Sequence, residues 1–158
     1  MLVHNLVVVT QNVDGLHARA GSPDIIELHG HLRTARCDRC EARVAWSDAP
    51  DEPVCHHCGG MLRPDVVMFE ENLAEEALER ARTAAASCDL LISVGTSNLI
   101  WPARELPILA HDAGANVLIV NTDFAGQPTG ARFHHLSGRA GDVLPELVRL
   151  LAQPEARL

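Results

Sequence analysis

Apolar residues in this chain come in short runs, and most runs end in a polar cluster. Leu6-Val7-Val8-Val9 reads as a buried strand that stops at Thr10-Gln11-Asn12-Val13-Asp14-Gly15. A short helix is expected near Leu16–Ala20, then an extended run Ile25-Ile26-Glu27-Leu28 leading into His29-Gly30. Val66-Val67-Met68-Phe69 resumes a strand-like pattern. Asn72 followed three residues later by Glu75 is a capping-box pattern, and it predicts a helix whose Ala74, Ala77, Leu78, Ala81 and Ala85 share one face. Leu90-Leu91-Ile92-Ser93-Val94 is the next strand, stopped by Gly95-Thr96-Ser97. A helix is expected from Pro102 to Gly114, kinked at Pro107. Val117-Leu118-Ile119-Val120 is a strand stopped by Asn121-Thr122-Asp123, and a last helix is expected from Val143 to Ala152. Alternating strands and helices predict an α/β fold, a parallel sheet with helices on both faces.

Composition narrows the chemistry. Of 158 residues 47% are hydrophobic but only 3% aromatic, so the core must be built from Leu, Val, Ile and Ala. A net charge of −8 argues against nucleic acid as a partner. The 13 basic residues are all Arg. That excludes a P-loop, which needs its Lys on the phosphates, and any Lys nucleophile. No apolar run reaches the roughly 18 residues that cross a membrane, and Met1 to Thr10 has no basic leader pattern. The expectation is a cytoplasmic protein, where clustered cysteines are metal ligands rather than disulfides.

Residues 37–63 change character, with Cys, Asp, Glu, Gly and Pro and little apolar periodicity. Cys37-x-x-Cys40 and Cys55-x-x-Cys58 are separated by fourteen residues. Two such knuckles complete a tetrahedron about one Zn2+, and four sulfurs leave no open position, so the metal is structural. His56 and His57 lie between the second pair within reach of a metal, but four sulfurs already close the shell. Cys88, at a strand entry, is read as a small core residue.

The polar clusters Gln11-Asn12-Val13-Asp14, Gly95-Thr96-Ser97 and Asn121-Thr122-Asp123 each follow a strand. Any one of them is ordinary turn chemistry. Three of them at the carboxyl ends of parallel strands favour a crevice for a polar ligand such as a nucleotide. His29 is the candidate proton acceptor, since imidazole titrates near neutral pH. His4, His17, His31, His111, His134 and His135 are read as surface or packing residues.

Together these stretches resemble the sirtuin family of NAD-dependent protein-lysine deacylases. The resemblance rests on Thr10-Gln11-Asn12-Val13-Asp14-Gly15-Leu16-His17, Glu27-Leu28-His29-Gly30, the two CxxC pairs, Arg63-Pro64-Asp65-Val66-Val67-Met68-Phe69, Gly95-Thr96-Ser97 with Pro102-Ala103, Asn121-Thr122-Asp123 and Gly141-Asp142-Val143-Leu144-Pro145. It implies a Rossmann-like NAD-binding and catalytic domain, residues 1–36 and 64–158, interrupted by a zinc-binding module, residues 37–63. It further implies His29 as the general base toward the nicotinamide ribose, with Gln11, Asn12 and Asp14 at that ribose and the nicotinamide. Gly95, Thr96, Ser97, Asn121, Thr122, Asp123 and Ala140 are implied at the rest of the cofactor, and Val66, Val67 and Phe69 along the acyl-lysine tunnel. The implied products are free lysine, nicotinamide and O-acyl-ADP-ribose, with NAD as co-substrate and an acyl-lysine protein or peptide as partner.

Two departures stand out. No GAGxS or GxGxxG loop occurs in these residues, nor the segment ending in DFR that follows it in the family. The expectation is therefore an exposed sheet edge and little or no turnover by these residues alone. A catalytically inactive sirtuin-like protein that binds NAD or ADP-ribose, or a zinc-ribbon interaction protein, are the competing readings. Glu70 stands where the family has Gly in a Phe-Gly-Glu run.

Overall fold

The computed structural model describes residues 5–45, 53–97 and 101–151. The chain divides into two compact units, Asn5–Arg80 and the part from Ala81 onward. The expectations for His4, for residues 46–52 of the zinc module and for the helix end at Ala152 lie outside the described residues.

In the first unit, β1 (Val8–Thr10) pairs in parallel with β2 (Ile25–Glu27) in the register Val8↔Ile25 to Thr10↔Glu27. The ladder runs one step further, from the Leu28 N–H to the Thr10 carbonyl at 2.9 Å. Between the two strands lies the single-turn helix α1 (Leu16–Arg19). Its first orphan donor is met by Asp14, whose Oδ1 accepts the Leu16 N–H at 2.9 Å. Ile26 and Leu28 are buried at 3% and 1% exposure.

A second sheet follows, antiparallel, in the order β4-β3-β5: β3 (Gly30–Cys37), β4 (Arg43–Ala45) and β5 (Leu62–Val66). The sequence pattern does not announce β3. Its buried side chains are Ala35 and Cys37, too small to stand out as an apolar alternation. The strand expected at Val66–Phe69 lies earlier. It is β5, and Phe69 beyond its end is fully exposed. Pro64 disguises this strand. It lacks a ladder donor, and the sheet takes it where the β3–β5 register breaks between Gly30 and Ala35. Gly30 holds φ at +70°, and a Cβ there would collide with the Asp65 carbonyl. Only Gly lets β3 leave His29 this close to β5.

The second unit carries a three-stranded parallel sheet, order β6-β7-β8, with β6 (Leu90–Val94), β7 (Asn116–Asn121) and β8 (Phe133–Ser137). The sequence pattern does not announce β8, because Phe-His-His-Leu-Ser has no apolar run. Helix α2 (Glu75–Ser87) crosses from one unit into the other and buries Ala81 and Ala85. It starts three residues after Asn72, with its first bond from the Leu78 N–H to the Ala74 carbonyl. The chain is still committed to a turn at Met68–Glu71, closed by the Glu71 N–H on the Met68 carbonyl at 3.1 Å. Helix α3 (Leu106–Asp112) follows one 3-10 turn, Ala103–Glu105. Pro107 lies in its first turn, where a missing N–H breaks no bond, so it opens a helix rather than kinking one. Helix α4 (Ala140–Leu151) begins three residues before Val143.

Helix α3 packs on β6 and β7, and α4 on β7. Val117 and Ile119 of the central strand are closed off at 0% and 1% exposure. Leu90, Ile92 and Leu136, on the other face by register, keep 48%, 39% and 37%. Strand β6 has no partner on its outer side among the described residues. No helix among them is long and apolar enough to cross a membrane.

Gly30→Ala should cost more than about 2 kcal/mol of stability, the left-handed penalty plus the displacement of the Asp65 carbonyl. Gly21→Ala, at φ +82° but in open space, isolates the conformational part. Equal losses for the two variants in urea denaturation would disprove the close approach.

Candidate active site and metal centre

The four cysteines converge. Their sulfurs all lie within 4.8 Å of one another, with Cys37–Cys58 at 3.5 Å and Cys40–Cys55 at 3.7 Å. A tetrahedron with arms of about 2.3 Å has edges of about 3.8 Å, so the donor set fits Zn2+. Each knuckle turns an amide on a sulfur: the Arg39 N–H on Cys37 and the Gly60 N–H on Cys58, both at 3.4 Å. The amides of Cys40 and Arg39 bring the Cys37 thiol down to about 6. The Ala42 amide also lowers Cys40, but Cys58, burial, Cys37 and Cys55 together push it up to about 12. Without a cation the first knuckle therefore favours a thiolate at Cys37 over one at Cys40. His56 and His57 are exposed and stand outside the group. The Cys88 thiol donates to the Ala85 carbonyl at 3.3 Å, and burial pushes its pKa up. Cys88 is half-buried rather than a core residue.

His29 sits in the turn between β2 and β3, half-buried. Its Nδ1 lies 3.0 Å from the Gln11 carbonyl oxygen. A carbonyl only accepts, so Nδ1 carries the proton and Nε2 is the lone-pair nitrogen. The His29 carbonyl in turn accepts the Val67 N–H at 3.0 Å. One residue thus ties the strand end at Gln11 to the exit of β5. Thr10 Oγ1 accepts the Asn12 N–H at 3.0 Å, and the Leu32 N–H reaches the Val13 carbonyl at 3.0 Å. Asn12 and Asp14 are exposed on this loop. Val66 closes β5, and Phe69 stands in solvent beside Glu70, which holds φ at +71°.

The second unit gathers the other candidates at the carboxyl end of its sheet. Gly95, Thr96 and Ser97 follow β6; Asn121 ends β7 and precedes Thr122 and Asp123; Ala140 opens α4 just past β8. Asn121 Nδ2 donates to the Thr96 carbonyl at 2.9 Å. Its Oδ1 accepts the Thr122 N–H at 2.8 Å, and Asp123 Oδ1 accepts the Ala125 N–H at 3.0 Å. Gln127, 8% exposed, donates from Nε2 to the carbonyls of Thr96 at 2.9 Å and Ser97 at 3.2 Å. Gln127 was not singled out from the sequence. A lone amide in a loop carries no local signal, and its role exists only because the fold brings it 30 residues back.

Zinc uptake at pH 7 should release protons from the thiols still protonated, Cys40 foremost, and affinity should fall as acid refills Cys37 near pH 6. A titration in weak buffer reads the protons, and circular dichroism reads the loss of structure on chelation. Chelation without spectral change would contradict a structural metal. Glu70→Gly should raise stability by about 0.5–1 kcal/mol, since Gly carries the left-handed φ without strain. A lower urea midpoint would show that the carboxylate compensates.

The family model described as the Sir2 family matches residues 2–102. The chain is 49% identical to NAD-dependent protein deacylase 1 of Pseudomonas aeruginosa, over 93% of this chain and 62% of that one. It is 48% identical to NAD-dependent protein deacylase 2 of Pyrobaculum aerophilum, over 89% and 57%. It spans about three fifths of the length of these curated relatives. Among solved structures, a Sir2 homolog–NAD complex superposes with a TM-score of 0.85 at 39% identity, covering 92% of this chain and 58% of that one. A Sir2–p53 peptide–NAD+ complex gives 0.83 at 33%, covering 91% and 62%. With the model matching well over half its length, and with its four thiols and strand-end clusters in place, the chain belongs to the Sir2 family.

Proposed function

We propose that this chain carries the base, the substrate flank and the zinc module of an NAD-dependent protein-lysine deacylase. One observation supports this reading above the others. His29 is held at Nδ1 by the Gln11 carbonyl, while its own carbonyl holds Val67. Candidate base, nicotinamide-ribose loop and acyl-lysine flank are therefore parts of one hydrogen-bonded assembly within a single unit.

NAD, when bound, supplies a ribose carbon made electrophilic by a cationic nicotinamide leaving group. The protein's own part is positional and acid–base. His29 Nε2 takes the proton of a ribose hydroxyl, and the Gln11 carbonyl stabilises the imidazolium through Nδ1–H. Gln11, Asn12 and Asp14 orient that ribose. Asn121 and Gln127 fix the carbonyls of Thr96 and Ser97, so that the Gly95–Ser97 backbone and the Thr122–Asp123 turn offer preset donors and acceptors to the adenosine half. Ala140, small and at a helix start, leaves room beside them. Val66, Val67 and Phe69 flank the acyl-lysine chain. Residues 37–63, closed by Zn2+ on Cys37, Cys40, Cys55 and Cys58, form the structural module that braces this flank. The thiolates point to a reducing, cytoplasmic setting, and the charge of −8 to a protein or peptide substrate rather than nucleic acid.

Binding of NAD or ADP-ribose without turnover is the second reading. The β6 edge, unpaired among the described residues, and the half-exposed Leu90, Ile92 and Leu136 favour it.

The test is nicotinamide release from NAD and an acetyl-lysine peptide, for this chain and for a form extended upstream in frame. His29→Ala should lower release by about 100- to 10,000-fold with ADP-ribose affinity retained. Release that survives His29→Ala would remove His29 as the base. No release from either form, with ADP-ribose still bound, would decide for the second reading.

A further inference from the structure

Arg63 makes three side-chain hydrogen bonds to three partners, and neither the base nor the metal shell uses it directly. Its Nε donates to Asp38 Oδ1 at 2.9 Å, its Nη1 to the Val66 carbonyl at 3.0 Å and its Nη2 to Glu71 Oε1 at 2.6 Å. The three acceptors belong to three different segments. Asp38 lies inside the Cys37–Cys40 knuckle, and its N–H is bonded to the Met61 carbonyl at 3.0 Å. Val66 ends β5. Glu71 closes the turn beyond Phe69, where its second carboxylate oxygen accepts the Met68 N–H at 3.0 Å.

The guanidinium spreads its donors over three nitrogens and so spans acceptors on three separate segments, whereas the three N–H groups of an ammonium radiate from one atom. The Met68 amide and Arg63 hold the Glu71 carboxyl below the usual carboxylate range. Glu71 and Asp38 keep the Arg63 guanidinium charged. Arg36 and Arg43, both on Asp65, and Arg36 again at 4.0 Å from Glu71, complete a charge-balanced lattice over the same strands. Isolated exposed ion pairs contribute little. This one is a single group shared between a metal knuckle and a loop.

We propose that Arg63 is a positioning residue that couples zinc occupancy of the Cys37–Cys40 knuckle to the conformation of residues 66–71, the acyl-lysine flank. The zinc-loaded knuckle presents Asp38 in a fixed place. Asp38 fixes the guanidinium, and the guanidinium fixes both the Val66 carbonyl and the Glu71 clamp on Met68. The substrate role of the flank rests on the function proposed above; the coupling itself does not.

Coupling is reciprocal, so a change at the loop must be felt at the metal. The experiment measures zinc affinity by chelator competition and Met68 amide exchange in the whole chain. Glu71→Gln, at a residue outside the four-cysteine cluster, should weaken zinc binding about three- to tenfold and speed Met68 exchange by a similar factor. Arg63→Lys, with its charge kept, should do the same. The double variant should lose no more than the worse single one, because both cut one path. Asp24→Asn, which removes an exposed ion pair to Arg80 in the same unit, should leave zinc affinity unchanged. Unchanged zinc affinity in Glu71→Gln, additive losses, or an equal loss in Asp24→Asn would each overturn the proposal. In the nicotinamide assay, Arg63→Lys should raise KM for the peptide with kcat held. If neither the wild-type chain nor its upstream-extended form releases nicotinamide, the deacylase reading fails, while zinc affinity and exchange still decide the coupling.

Discussion

The antiparallel sheet of the first unit depends on four sulfurs meeting within a few ångströms. The apolar core of the zinc sheet is Ala35, Leu62, Cys37 and Cys55, edged by Ala42, Val44 and Cys58. So small a set of side chains cannot hold three short strands against chain entropy. A cation that binds four sulfurs of the folded state does what a larger core would do elsewhere, because its binding energy is folding energy. Everything attached to those strands inherits that dependence, including the exit of β5 and the turn that carries Phe69 and Glu70.

The second unit stands on different physics. Its parallel strands bury Val117, Ile119 and Val120 almost completely, and its polar residues are confined to one end of the sheet. There the backbone runs out of ladder partners, so side chains must satisfy it. Asn121 and Gln127 do this for Thr96 and Ser97. A buried amide bonded to main-chain carbonyls is worth more as a fixed scaffold than as a contact of its own. The loop after β6 is therefore held by side chains from two distant segments as well as by its own backbone.

Strain and charge are placed near the same loop. Glu70 adopts a conformation costly to any residue with a Cβ, one residue from a carboxylate held by Arg63. Such strain persists only where the surroundings over-determine the backbone, and the Met68–Glu71 bonds in both directions do so here.

Spacing alone was enough for part of this. The Cys-x-x-Cys pairs declared the metal because a tetrahedron of thiolates needs little more than two knuckles. Strands β1, β2, β6 and β7 declared themselves through short continuous apolar runs rich in Val, Ile and Leu, a pattern that reads as strand wherever turn residues bound it. The clusters that end β1, β6 and β7 were legible for the same reason, as abrupt changes of polarity. Strands β3, β5 and β8 were hidden or misplaced. Their inward side chains are Ala, Cys or His, or Pro64 breaks the pattern, and pairing with distant strands decides them. The Nδ1–Gln11 bond, Gln127 beneath Thr96, and the fork of Arg63 across Asp38, Val66 and Glu71 span 18, 31 and up to 25 residues. Such pairings leave no local trace. Residue type and spacing determine which chemistry is available, and tertiary structure alone decides which groups meet, because a hydrogen bond is specified by position in space.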